Sequence, residues 1–165
     1  MAATVQIHEV TATNTGVDKT SGTVRFKSAD ETTVDSSNRL QIPGAGTDYS
    51  YTKQLRAYVS VAPSVDLTNL EAYSDGSSGF GTGVGVQYDV QQTFQTQTDA
   101  DISGTDLFTK TDGAPIDMDA NDTQWTDGDG TGYWGDNLRL QMSVASTASP
   151  GALSAETLTF SYDET

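Results

Sequence analysis

The chain has 165 residues, 23 acidic against 8 basic side chains, a formal charge of −15 and no cysteine. An acidic surface of that strength repels phosphate backbones and anionic bilayers, so nucleic acid and membrane are excluded as partners. Without thiols there is no disulfide framework and no thiolate metal site. At this length one domain, residues 1–165, buries about 70% of the surface its unfolded chain exposes, enough for a real core. The opening MAATVQIHEV lacks the basic and apolar regions of a signal peptide, and no apolar run reaches the ~20 residues that span a bilayer.

In chain order, a first strand is expected over Val5–Val10, with residues 1–12 read as an N-terminal arm or edge strand. Residues 11–22 (TATNTGVDKTSG) and 28–38 (SADETTVDSSN) are polar and turn-rich, with short strands expected at Thr23–Lys27 and Leu40–Ile42. The IPGAG stretch at 42–46 breaks the chain. Leu55, Ala57, Val59 and Val61 then alternate with polar neighbours, the period-two pattern of a strand with one buried face. SVDLTNLEAY suits a single helical turn capped by Ser64. GFGTGVG, at 79–85, leads into Val84, Val86, Tyr88, Val90 and Phe94, again alternating.

Residues 99–136 form the longest interruption, a loop region carrying Asp99, Asp101, Asp106, Asp112, Asp117, Asp119, Asp122, Asp127, Asp129 and Asp136. A loop of that length in a compact domain is functional or mobile unless it hides short strands, of which Leu107–Lys110 is one candidate. Alternation returns at Leu138, Leu140, Met142 and Val144, and again at Leu158, Phe160 and Tyr162. Thr, Val, Tyr and Gln in the runs, with Gly, Asp, Asn and Ser between them, is strand-and-turn composition. Half-wet alternating strands belong to antiparallel sheets. The fold class is all-β, an antiparallel β-sandwich of jelly-roll-like type with long acidic loops, closure into a barrel being the other arrangement.

Few residues offer chemistry. TDGDGTGYWGD at 126–136 places Asp127, Asp129 and Thr131 before Gly132, the first half of a calcium loop. Its twelfth position is Leu138, where a bidentate glutamate belongs, so turn chemistry is the stronger reading and calcium a weak candidate. Asp117, Asp119 and Asn121 alternate too, but Asp122 replaces the required glycine. Trp125, Tyr133 and Trp134 suit three roles: a local core beneath the loop, an anchor for another protein, or a platform for sugar rings. His8 is the sole histidine, and its neighbour Glu9 points to the opposite face of a strand, so the pair cannot cooperate. The glycines at 79–85 lack the Lys-Ser/Thr ending of a phosphate loop and precede a strand. No catalytic constellation, resident metal or cofactor is expected.

Residues 138–165, LRLQMSVASTASPGALSAETLTFSYDET, carry the most specific signal. A strand, the turn TASPG at Thr147–Gly151 and the closing strand ETLTFSYDE at Glu156–Glu164 resemble the ending of small virion structural proteins of tailed bacteriophages. The match covers about a fifth of the chain; elsewhere only the style agrees, with Thr/Gln-rich strands and acidic loops. The resemblance implies a β-sandwich present in many copies, of the capsid decoration (cement) type. Its implied partners are the major capsid protein and further copies of itself, as trimers on the outer surface of the head. The chain is then made in the host cytoplasm and resides in the virion. A head–tail connector, tail or fibre-associated protein is the alternative, and a carbohydrate-binding module contacting the host surface a third. Val5 and Ile7 on the arm, with Trp125, Tyr133 and Trp134 on the loop, are the interface candidates.

Overall fold

The computed structural model describes residues 2–165, among which every strand pairing is antiparallel and the only helical element is one 3-10 turn, Leu107–Thr109. The strands are β1 (Thr4–Ala12), β2 (Thr15–Asp18), β3 (Thr47–Tyr49), β4 (Lys53–Val61), β5 (Leu67–Tyr73), β6 (Val84–Gln91), β7 (Thr105–Asp106), β8 (Ile116–Asp117), β9 (Gly132–Ala145) and β10 (Thr159–Glu164). The larger sheet runs β2-β1-β4-β9-β6-β7, with β3 pairing the far end of β9; the smaller runs β10-β5-β8. They pack face to face as a β-sandwich around one shared core.

Alternation decides which residues enter that core. Val5, Ile7, Leu55, Ala57, Val59, Trp134, Leu138, Leu140, Met142, Val144 and Val86 lie opposite one another in register and share the inner face. Leu67, Leu70, Ala72, Phe160 and Tyr162 meet them from the smaller sheet. The two layers touch directly where the Tyr162 ring meets Trp134 edge-on, with centroids 6.3 Å apart.

The smaller sheet cannot cover all of the larger one. Residues 19–46 contain no strand and close the uncovered end, laying Val24, Phe26 and Leu40 against the core. This replaces the short strands expected at Thr23–Lys27 and Leu40–Ile42. The segment makes few ladder bonds, and ion pairs hold it instead. Lys27, 1% exposed, bonds Glu31 and Asp35 at 2.6 Å each, and Tyr51 N–H donates to the Lys27 carbonyl. The ammonium of Lys27 holds both carboxyls below their usual range, Asp35 helped further by Ser37. Beneath lies Glu9, between Lys53 at 3.0 Å and Lys19 at 3.5 Å, with Lys53 also donating to the Glu31 carbonyl. A buried charge set of this kind tolerates no missing member.

Four further expectations are corrected. The strand expected over Val5–Val10 is present within β1, which is built into the sheet and is not an arm, and residues 11–22 supply β2, because Asn14 adopts φ 55° and closes a hairpin. Only Thr4–Gln6, beyond the reach of β2 and its following turn, retains an edge. SVDLTNLEAY forms β5, since its apolar side chains are claimed by the core on one side only. The interval 99–136 hides β7, the 3-10 turn and β8, the turn taking the place of the strand expected at Leu107–Lys110; Asp106 caps it by accepting from Phe108 N–H. Finally, β9 begins six residues before Leu138, at Gly132.

Candidate functional site

The early start of β9 decides where the loop aromatics go. Leu55 pairs Leu138 but Ala57 pairs Trp134, so two steps on β4 face four on β9, and Gly135–Asn137 bulge. Gly135 takes φ +74°, a conformation that disfavours side chains. Asp122 ties the bulge down: its carbonyl accepts from Trp134 Nε1 at 3.0 Å and its carboxylate from Gly135 N–H at 3.2 Å. Asp136, also buried, donates its N–H to the Met118 carbonyl and accepts from Asn121 through its carboxylate.

Trp134 therefore lies fully inside, at 0% exposure, and is not a surface anchor or sugar platform. Trp125 is half-buried; its backbone pairs with Leu67 in both directions, and its ring fills the space above Gly132. Its Nε1 has no partner although buried. Val5 and Ile7 are half-buried and turn inward, against the core. Of the five interface candidates only Tyr133 faces outward, because neighbours on a strand point to opposite sides.

On that outer face Tyr133 joins residues that no motif or spacing groups together. His8 stacks on Tyr58 with centroids 4.6 Å apart and planes 15° from parallel, and Tyr133 meets both rings edge-on. Register brings them together: His8 opposes Arg56 and Tyr58 opposes Tyr133. His8 Nδ1 lies 3.0 Å from the Tyr133 hydroxyl, and Nε2 lies 3.2 Å from Gln6 Oε1. Arg56 lies over the Tyr133 ring, its carbon 5.8 Å from the centroid, and donates through Nε to the Gly135 carbonyl at 2.6 Å. Burial lowers the His8 pKa against the opposing pull of Asp18; burial also lowers that of Arg56 and raises that of Tyr133.

Beside this cluster lies an open cleft of about 260 Å³ whose walls include Val10, Arg56, Phe94, Tyr133 and Asn137. One wall belongs to the segment after β6, which straps over the outer face. Buried glutamines pin it. Gln54 exchanges side-chain bonds with both backbone groups of Gln95. Gln141 donates to the Ser50 and Ala100 carbonyls and accepts from Ile102 N–H. Thr52 pairs with Thr98 through backbone and side chain. Asp101 receives Tyr49 and Gln87. The strap is thus as firmly bonded as a strand without being one.

The calcium candidates do not converge. Asp129 turns back to accept from both the N–H and hydroxyl of Thr126 at 2.7 Å, while Asp127 N–H donates to Asp66. Asp119 accepts from Leu70 N–H and Asp117 from Asp119 N–H, an arrangement of turns. Among the described residues no three acidic or histidine side chains gather as a metal site. What the outer face presents is a fixed aromatic and guanidinium surface beside a shallow cleft.

Comparison with protein-family models, curated proteins and solved structures returns no match for this chain.

Proposed function

We propose that this chain is a structural protein of tailed-bacteriophage particles, a decoration (cement) protein that binds the outside of the head and bridges neighbouring capsomers. The observation that carries the reading is the C-terminal block Thr147–Gly151 and Glu156–Glu164, which resembles the ending of such virion proteins. Three features support it. Antiparallel sandwiches with bonded-down loops make rigid building units, and rigid surfaces lose little entropy on docking. A charge of −15 keeps free copies soluble and clear of nucleic acid. The chain ends share one end of the molecule, where Ala3 N–H donates to Glu164 and where Val61 and Val65 are exposed, a compact patch for a neighbour.

In this role the chain has no catalytic residue and no cofactor, and its partners are the major capsid protein and other copies of itself, as trimers. Binding only the assembled shell stabilises that shell by mass action.

Quantifying the chain in purified particles tests the proposal. Copies in proportion to capsomers, and a shell that opens at lower temperature when the gene is deleted, are expected. A few copies at one vertex would favour the head–tail connector alternative, and particles lacking the chain would end the reading.

A further inference from the structure

The strand β10 is attached to the rest of the chain in an unusual way. It is the last element, lies at an edge of the smaller sheet and pairs with β5 alone. Residues 146–158, which lead to it from the other sheet, contain no helix or strand, and all but Ala148, Glu156 and Leu158 are exposed. Pro150 and Gly151 sit within this connection, Gly151 at φ +150°. Fully extended, such a segment reaches on the order of 40 Å. Besides core contacts of Ala148 and Leu158, two long-range bonds hold it: Ser146 N–H donates to the Gly46 carbonyl at 2.9 Å where the segment leaves β9, and Glu156 accepts from Gly79 N–H at 2.8 Å.

The site that β10 fills, by contrast, cannot stand empty. Phe160 and Tyr162 cover the core, and Tyr162 closes over Trp134. Asn69 Nδ2 holds Asp163 at 2.6 Å, and Asp66 and Thr165 exchange both backbone bonds. None of these contacts requires that β10 and β5 belong to the same copy. A long exposed tether and a specific apolar seat are the two requirements for exchanging an element between identical chains.

We infer that β10 is an exchangeable strand: residues 159–165 of one copy complete the three-stranded sheet of a second copy, with residues 146–158 as the crossing arm. The partner is this same chain, and the inference stands whether or not the chain belongs to a virion. Both forms make the same strand contacts, so concentration selects between them. Internal closure acts at an effective concentration in the millimolar range for a tether of this kind, and exchange competes near that value. With −15 on each copy, exchange is favoured by salt.

Because the chain has no cysteine, an introduced pair reports one contact only. Glu71 and Ser161 oppose each other in register, so Glu71→Cys with Ser161→Cys places one thiol on each strand. The doubly substituted full chain is unfolded under reducing conditions, refolded at about 1 μM and at about 1 mM in high salt, oxidised and run on a non-reducing gel. Internally linked monomer is expected at the low concentration, and covalent dimers or rings at the high one, in amounts that rise with salt. Monomer with only internal links at both concentrations overturns the inference, as do oligomers that form without cross-chain disulfides. Should that pair prevent folding, Tyr73→Cys with Thr159→Cys reads the same register two pairs further along.

Discussion

Gly135 and Leu70 meet across the sandwich with no room between them: a Cβ on Gly135 would lie 2.5 Å from Leu70 Cδ2 and 2.6 Å from the Met118 carbonyl oxygen. The bulge in β9 therefore brings bare backbone into contact with the opposite sheet, and that contact sets how closely the layers approach at their centre. Gly135→Ala combines a left-handed backbone angle, which costs roughly 1–2 kcal/mol for an L-residue, with overpacking that costs about 1–3 kcal/mol. Denaturant unfolding should show a loss of about 2–5 kcal/mol. A loss below about 0.5 kcal/mol, the range of ordinary surface substitutions, would mean the bulge is not built this way.

Trp134 and Trp125 offer a paired test of what lies inside. Trp134 is enclosed and has its Nε1 bonded to Asp122. Trp134→Ala should destabilise by about 3–5 kcal/mol, as large aromatic truncations in cores do. Trp125→Phe removes a buried N–H that has no partner, so it should cost little, under about 1 kcal/mol by the logic of unsatisfied donors. In Trp125→Phe the remaining tryptophan should emit at the blue end of the indole range. Red-shifted emission from that variant would place Trp134 in water and contradict its burial.

Much of the fold was legible in the sequence where side chains alternate without interruption. Val84–Val90 and Leu138–Val144 sit as their period requires, because a one-residue slip would turn every apolar group into water. What stayed hidden was structure held by something other than apolar burial. Residues 23–27 read as a strand because Val24 and Phe26 do turn inward, yet a buried lysine and two carboxylates hold them where a ladder would. Tyr133 and Trp134 illustrate the reverse: they share a loop-like, glycine-rich context but go to opposite faces, because β9 has begun before them. The outer cluster of His8, Tyr58 and Tyr133 had no sequence signature, since register across three strands assembles it.

The strap over the outer face depends on a single side chain more than on any other. Gln141, fully buried, uses both ends of its amide on the backbones of Ser50, Ala100 and Ile102. Gln141→Leu keeps the volume near constant but leaves those backbone groups unpaired, each at a cost of about 1–3 kcal/mol. Hydrogen exchange should report faster exchange at Ile102 than in the parent chain, with β1 and β4 unaffected. Uniform acceleration across the sheet would instead indicate global destabilisation.

The loop at 126–131 should ignore calcium. Its one well-placed carboxylate, Asp129, is spent on Thr126, which also holds its pKa below the usual value. Melting in excess calcium and in excess chelator should give the same midpoint at matched ionic strength. A calcium-dependent rise would require the loop to rearrange into a site absent from this structure, by mass action on the folded state.

The acid limb of the stability curve should carry a histidine component. Burial lowers the His8 pKa from its ordinary 6.5, with Asp18 pulling the other way. Well above 6.5 the ring is neutral in both states and contributes no slope. As pH falls below 6.5, the unfolded chain takes up the proton first, so unfolding gains free energy and stability falls until the folded-state value is passed. The stack on Tyr58 and the Tyr133 contact lie in the region that must accept this charge. Melting temperature should therefore decline between pH 7 and 5, and His8→Gln should flatten that decline. The steeper loss at lower pH comes from carboxyls lowered by their partners, Glu31 and Asp35 on Lys27, and should remain in His8→Gln. An unchanged slope between pH 7 and 5 in the variant would show that His8 titrates alike in the folded and unfolded chain.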